Sequence, residues 1–296
     1  MDEYKRIFKS VRLRMAILKL LSFIPDAAMI KLQYRIKLKR KLNLRDPKRI
    51  TEIIQWYKLY YRNPVMTKCV DKYDVREYIE SKGLGRYLVP LYGVFDRVED
   101  LDLANLPAKY IIKTTNGSGT NIIVNDSNPN VSEIKRKLNE FWKRPNITAG
   151  REWAYYGVKN RIIIEQLLEE KDNPFGGIND YKFICFKGVV ACIVVDVSRF
   201  SDHKRNIYTT DWVKMDVVND YENFELDLPA PKTLDEMLSV ASELSKDFPF
   251  VRVDLYSVND VVYFGELTFY PWSGYTQFIP DQFDFELGSY FNPNRE

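Results

Sequence analysis

The period of the apolar residues changes near residue 85, and this one change confines the chain to a mixed helix and sheet fold. Up to that point the spacing is helical. Residues 50–62 form a tyrosine-rich amphipathic stretch, with Thr51 placed to cap it and Asn63-Pro64 to end it. A further helix is expected over 71–81, stopped by Gly83. From residue 87, short β-branched and aromatic runs take over, at 87–95, 110–114, 121–124, 161–168, 181–187 and 189–197. Helical spacing returns at 131–143 and 233–246, the second with Thr233 and Glu236 spaced as a capping box. Two last strands, 250–256 and 261–267, flank the turn-forming Val258-Asn259-Asp260. The fold class is α+β, with a helical region over 1–84 and lobes over 85–164 and 165–296.

The helical front is strongly basic. Residues 1–50 hold 15 Lys and Arg against 4 Asp and Glu, whereas the whole chain of 296 residues nets only +3. Such a segment attracts phosphates, anionic lipid or acidic polymers. Within it, Ile7, Val11, Met15, Leu18 and Leu21 recur at helical spacing, largely opposite Lys5, Arg6, Lys9, Arg12 and Lys19. This basic amphipathic helix suits packing on its own protein, and equally docking on a membrane surface through residues 1–24. Lys19 breaks the apolar run and Pro25-Asp26 follows it, so the segment does not read as a signal peptide. No apolar stretch reaches the roughly 20 residues of a membrane span.

Composition narrows the class. A hydrophobic share of 45% with only 13 Gly and 14 Pro excludes a disordered or collagen-like chain. Cys69, Cys185 and Cys192 are odd in number and irregular in spacing, which predicts free thiols in a reducing cytoplasm. A single histidine, His203, argues against a zinc enzyme.

Five groups of residues could carry chemistry. Lys113 ends a strand and precedes a loop holding Gly117, Ser118 and Gly119. Glycines there let backbone N–H groups approach an anion, although a plain hairpin uses glycine for its turn as well. Asp254 and Glu266 lie on two adjacent strands and face one side if those strands pair. Two carboxylates on one face call for a cation between them, and magnesium accepts such oxygens together with phosphate. Arg252 has the same parity, and a cross-strand charge ladder is the alternative. Glu165 ends the buried run Ile162-Ile-Ile, where it and the adjoining backbone could read an adenine edge or simply close a strand. Asp180 and Lys182 share a face and could meet a ribose and phosphates, or each other. Arg199, His203 and Arg205 lie in an expected basic loop that suits a phosphate, an acidic substrate or plain solvation.

In this order, the pieces resemble an ATP-grasp enzyme. Arg252-Val-Asp254, Glu266-Leu-Thr268 and Ser273-Gly274 are similar to the metal and acyl-phosphate region of D-alanine–D-alanine ligases. A closer resemblance, over about residues 43–288, is to the ATP-grasp family named for teichuronopeptide biosynthesis, found among bacterial capsule and cell-surface polysaccharide genes. Trp56-Tyr-Lys58, Asp71-Lys-Tyr, Arg151-Glu-Trp, Asp180-Tyr-Lys-Phe and Val251-Arg-Val-Asp254-Leu-Tyr are among the phrases that carry it.

The resemblance implies two α+β lobes clasping ATP behind the basic helical front. It implies that Lys113 and Lys182 hold the phosphates with Gly117, Ser118 and Gly119. Glu165, Gln166, Leu167 and Leu168 would form the adenine hinge, and Asp180 the ribose contact. Asp254, Glu266 and Thr268 would hold Mg2+, with Thr268 standing where many relatives carry asparagine, and Asn116 where a histidine is expected. Arg252 would steady an acyl phosphate and the tetrahedral intermediate. Arg199, His203, Arg205, Ser273 and Gly274 would meet the substrates. The implied activity is a carboxylate–amine ligase joining an amino acid or other amine to a uronic acid of an acidic glycan or its lipid-linked precursor. No nucleic-acid ligand is expected. An ATP-grasp kinase acting on a sugar hydroxyl, or a polysaccharide-binding protein without catalysis, are the alternatives.

Overall fold

A computed structural model describes residues 21–115, 119–142, 149–170, 173, 177–197 and 203–292. Most of the expected basic helix over 1–24, and Asn116, Gly117, Ser118 and Arg199, lie outside the described residues. The described chain opens with α1 (Asp26–Leu38), α2 (Ile50–Tyr60), α3 (Val65–Cys69) and α4 (Val75–Ser81). Strand β1 (Leu91–Phe95) leads into β2 (Tyr110–Thr114), β3 (Asn121–Val124), α5 (Val131–Trp142) and β4 (Ile162–Gln166). These four strands form one antiparallel sheet in the order β1-β4-β2-β3. Ile162 and Ile164 of β4 are fully buried beneath Ile134 and Leu138 of α5, which explains why that strand reads as an unbroken apolar run.

The second sheet has six strands. They are β5 (Asp180–Phe186), β6 (Val189–Val197), β7 (Lys204–Tyr208), β8 (Lys214–Met215), β10 (Val251–Val258) and β11 (Val261–Thr268), in the order β11-β10-β5-β6-β7-β8. A short pair, β9 (Val218–Asn219) with β12 (Phe278–Ile279), stands beside it. Helix α6 (Leu234–Ser245) packs on β5, β6 and β10, while α7 (Gln282–Ser289) packs on α2. Asn259 and Asp260, at φ 52° and 59°, make the two-residue turn between β10 and β11, as a twisted hairpin requires.

Helix α2 belongs to the core of the larger sheet. Its Ile50, Ile53, Ile54 and Tyr57 are buried together with Phe250, Tyr270 and Leu287. Three sequence expectations need correction. Thr51 does not cap α2, which starts at Ile50; instead Asp284 of α7 accepts from the Thr51 backbone N–H (3.0 Å) and hydroxyl (2.8 Å). Thr233 and Glu236 form no capping box, because the Thr233 hydroxyl donates to Ser257 and Glu236 accepts from the Tyr87 hydroxyl. The strand expected from residue 87 begins at Leu91, after a single 3-10 turn at Gly85–Tyr87. All three cysteines are free and buried, as their spacing predicts.

Asp284 thus closes the start of α2 from outside the helix, with Arg49 3.4 Å from its second oxygen. Asp284→Ala is expected to lower unfolding free energy by about 2–3 kcal/mol, the usual loss for charge-assisted hydrogen bonds to a buried carboxylate. The midpoint of urea unfolding measures it.

Candidate active site between the two sheets

The floor of the site is a row of charges on one face of the larger sheet. Register puts Asp254 opposite both Glu266 and Lys182, Asp180 opposite Asp196, and Asp196 opposite Arg205. A register shift after Asp254 leaves Gly265 as the extra residue and keeps Glu266 beside Asp254. Arg252 grips Asp254 with both arms at 2.6 Å, and one of them also reaches Glu266 at 2.8 Å and Thr268 at 3.1 Å. The cation between the two carboxylates is therefore the Arg252 guanidinium. Burial alone would disfavour its charge, but Asp254 and Glu266 outweigh that and raise its pKa above the ordinary arginine value.

Further along the row, Lys182 ion-pairs with Asp180 and sits 3.1 Å from Asp196. Asp196 also takes the Arg205 guanidinium at 2.6 and 3.1 Å. His203 lies 3.1 Å from the same carboxylate and against the Tyr221 ring. Arg205, expected in a loop, is a buried residue of β7, as is its neighbour Asn206.

Above this floor lie two neighbouring cavities. The first, about 590 Å³, runs between the sheets and is lined by Lys113, Glu165, Gln166, Leu167, Leu168 and Asp180, among others. Ile111, Leu88, Tyr256 and Phe264 give it apolar walls. The second, about 460 Å³, is lined by Arg252, Glu266, Thr268 and Ser273. Lys72, Val75 and Gly265 line both, so the two spaces meet there. Lys113, Glu165, Asp180, Arg252 and Glu266, singled out from the sequence, thus come from five strands to line two adjoining cavities. Lys182, Asp254, His203, Arg205, Gly119 and Gly274 line neither cavity.

Glu165 is buried and occupied, with Lys113 at 2.8 Å and Arg76 at 3.5 Å. The backbone N–H of Gln166 donates to Pro90, tying the hinge segment to the start of β1. Lys72 was missed as a site residue. It follows the short helix α3 within the phrase Asp71-Lys-Tyr, which carries the family resemblance but assigns the lysine no role, and only tertiary folding brings it to where the cavities adjoin. Burial lowers its pKa, against the opposing pull of Glu266. Glu266 itself is shifted down: enclosure opposes ionisation, but Arg252 and Lys72 overcome it.

Among the described residues no three His, Cys, Asp or Glu side chains cluster as a metal cage. The donors that are present fit magnesium in another way. Glu266 is half open to the cavity beside buried Asp254, and burial pushes the Asp254 carboxyl up, a cost that a nearby cation relieves. Magnesium commonly takes one or two carboxylates and completes its shell with phosphate oxygens and water. Glu266, Asp254 and the Thr268 hydroxyl could hold it on those terms.

A nucleotide-sized cleft between two antiparallel sheets, floored by paired carboxylates and an arginine, is the arrangement of the ATP-grasp fold. The chain belongs to the TupA-like ATP-grasp family, whose model matches residues 52–292. No curated protein sequence matches it. Among solved structures it is similar to the D-alanine–D-alanine ligase from Bacillus anthracis complexed with ATP, at 15% identity and a TM-score of 0.38, covering 68% of this chain and 53% of that one. It is also similar to the D-alanine–D-alanine ligase from Helicobacter pylori (16%, TM-score 0.45, 82% and 69%) and the L-amino acid ligase from Bacillus licheniformis (18%, TM-score 0.47, 86% and 57%). The chain spans little more than half the length of the two Bacillus enzymes. These likenesses are distant, and family membership rests on the match over residues 52–292. No described helix is long and apolar enough to cross a membrane.

Asp196 anchors the charged floor, so its titration sets an acid limit on stability. Burial works against its ionised form, yet Arg205 and Lys182 hold its pKa well below the usual carboxylate range. A depressed carboxylate contributes stability above its unfolded pKa of about 4, and loses it as pH falls through the folded value. Asp196→Asn is expected to cost about 3–5 kcal/mol at pH 7, since it takes the bidentate carboxylate from the buried Arg205 guanidinium. The gap to wild type should narrow steadily below about pH 4. Urea midpoints across pH measure both effects.

Proposed function

We propose that this chain is an ATP-dependent carboxylate–amine ligase that forms an amide through an acyl phosphate. The observation that carries this reading is that the two cavities adjoin at Lys72, Val75 and Gly265, which line both. The apolar first cavity, with the Gln166–Leu168 backbone at its side, suits an adenine. Lys113 and Lys72 then lie along the way to Glu266 and Arg252, where the terminal phosphate would arrive. The second cavity lies beyond that point and offers room for the acid and the amine.

Each group has a task that its position supports. Lys113 and Lys72 neutralise the phosphate charge. Asp254, Glu266 and Thr268 would hold magnesium, which when bound supplies electrostatic stabilisation of the transferring phosphoryl group. Arg252, placed between the two carboxylates and the second cavity, would turn its guanidinium to the acyl phosphate and then to the tetrahedral oxyanion. Enclosure between the sheets excludes the water that would hydrolyse an acyl phosphate. Lys182, lying beneath the cleft, would act by holding Asp180 and Asp196 in place.

The acid is read as a uronate of a cell-surface glycan or its lipid-linked precursor, from the family resemblance and from the basic front. Lys31, Arg35, Lys41 and Arg45 surround an open groove on that front, beside exposed Tyr60. The site of action would be the cytoplasm, with membrane contact through residues 1–24 as a further part of the proposal.

Incubation with Mg-ATP, oligouronates and hydroxylamine tests the reading. ADP, phosphate and a hydroxamate are expected. ADP with a phosphorylated sugar hydroxyl would instead make the protein a kinase. Glu266→Gln is expected to lower ADP formation by at least about 10²-fold, the scale of losing one transition-state charge contact. Unchanged turnover would remove Glu266 from the metal site.

A further inference from the structure

At the far side of the second cavity, three segments of chain meet on helix α2. Lys58 of α2 is 1% exposed, an unusual place for a lysine. Its ammonium nitrogen donates to the Ser273 hydroxyl (3.0 Å), the Ser273 carbonyl (2.7 Å) and the Gln55 side-chain carbonyl (3.1 Å). The Ser273 hydroxyl donates in turn to Glu152 at 2.5 Å. Glu152 and Ser273 both line the cavity that contains Glu266 and Arg252.

This contact is built with little tolerance. Trp272 and Ser273 hold left-handed φ values of 49° and 56°, and Gly274 follows at 64°. Left-handed backbone at two successive non-glycine residues is costly and persists only where the surroundings enforce it. Gln55 supplies part of that enforcement by donating to the carbonyls of Ser273 and Gly274. A Cβ at Gly274 would lie 2.4 Å from Gln55 Nε2, and one at Gly150 would lie 2.0 Å from the Ser273 hydroxyl oxygen. The segment carrying Glu152 is pinned to α1: Arg151 binds Asp26 at 3.0 Å and Gln33 donates to the Ala149 carbonyl at 2.8 Å. Nothing about packing alone requires a lysine, a serine and a glutamate in line here; a buried ammonium is normally replaced by an apolar group at no loss of stability.

We propose that Glu152, Ser273 and Lys58 form a proton relay that takes up the proton shed by the incoming amine. The proposal rests on the ligase reading. The amine enters as an ammonium and gives one proton to the Glu152 carboxylate. The neutral nitrogen then forms a bond to the acyl carbon, the acyl carbon–oxygen bond breaks, and phosphate leaves with its electron pair and takes up the second N–H proton. With Lys58 neutral, the Ser273 hydroxyl turns from Glu152 to the Lys58 nitrogen, and the Glu152 carboxyl hands its proton to the Ser273 oxygen as the hydroxyl proton moves to Lys58. Glu152 ends ionised and Lys58 ends as an ammonium, ready to release its proton when the product departs. Glu152 is the catalytic member, facing the substrate; Ser273 and Lys58 act through it. Aromatic walls of Tyr155, Tyr270 and Trp272 suit an amine that enters as a cation.

The chemistry of Lys58 supports this use. Burial brings its pKa down to about 7, against the pull of Glu152 and with the push of Lys37. The Tyr275 ring lies 4.6 Å from its nitrogen, and burial keeps that phenol un-ionised across the same range. Lys58 can therefore be neutral, and able to accept, near neutral pH.

Two measurements test the relay. Carbon-13 NMR of lysine-labelled protein should show one side-chain resonance titrating near pH 7, absent in Lys58→Met, or in Lys58→Gln should the methionine variant not fold. Glu152→Gln should move that titration to lower pH, because the carboxylate that favours the ammonium is gone. A Lys58 that titrates with the surface lysines, or that ignores Glu152→Gln, overturns the proposal. The second measurement compares nucleophiles with Mg-ATP and oligogalacturonate. Glu152→Gln should lower amide formation from L-glutamate about 10²-fold, the usual worth of a general base. Hydroxamate formation should stay within a few-fold, since hydroxylamine is already neutral at pH 7, and Glu152→Asp should recover part of the loss. An equal fall with both nucleophiles overturns the relay. Absence of both products with wild type would refute the ligase reading, and the NMR titration would still decide the relay.

Discussion

The structure depends on the ion pairing that runs across the larger sheet. Arg205, Lys182 and Arg252 alternate with Asp196, Asp180, Asp254 and Glu266 along one face, and all but Glu266 are buried. Each ion withdrawn from water costs several kcal/mol, so any one of them alone would be untenable. Antiparallel register answers part of this by setting Asp254 opposite Lys182 and Asp196 opposite Arg205, and Arg252 bridges the like-charged Asp254 and Glu266. Apolar residues in the same places would serve the sheet at least as well. The row is better understood as the support of a site that handles charge. Three cations stand against four carboxylates in it, and Lys72 adds a cation at its edge.

That arrangement bears on the order of events at the site. Arg252 holds Asp254 and Glu266 together, which keeps the two carboxylates from repelling each other. If Glu266, Asp254 and Thr268 held magnesium as proposed, it would draw on the oxygens that Arg252 grips. The guanidinium that satisfies the site without the metal would then be available to the proposed reaction. The short side chain of Thr268 favours this, because its hydroxyl already bonds both Arg252 and Glu266 without carrying a charge of its own.

What the sequence disclosed, and what it hid, follows from separation along the chain. The strand over 189–197 was legible because its burial is a local property of consecutive residues. The Asp254–Glu266 pairing was legible because a tight turn with the right residues fixes its register. Lys58, Ser273 and Glu152 could not be joined by any local pattern, since their contacts span 215 and 121 positions. The same holds for Asp284 and Thr51, 233 positions apart, where a distant carboxylate displaced the local cap. Local signals failed where a tertiary partner offered a better bond: Thr233 and Glu236 matched the capping-box spacing, but Ser257 and Tyr87 took their oxygens. Arg205 was read as a loop cation because charge usually means solvent, and only the sheet supplies the carboxylate that makes its burial tolerable.

The helical front acquires a different meaning from these contacts. Sequence periodicity sets residues before 85 apart, yet α2 contributes Ile53, Ile54 and Tyr57 to the main core and Lys58 to the wall of the second cavity's serine turn. Helix α1 holds the segment that carries Glu152. The first cavity is walled mainly by the two sheets, whereas the segments around Glu152 and Ser273 in the second are held by helices that precede them. On the proposed ligase reading, the acceptor would meet surfaces set by the front of the chain, while the phosphates would meet the sheets. Such an enzyme would select its amine with residues that its nucleotide-binding motifs do not reveal.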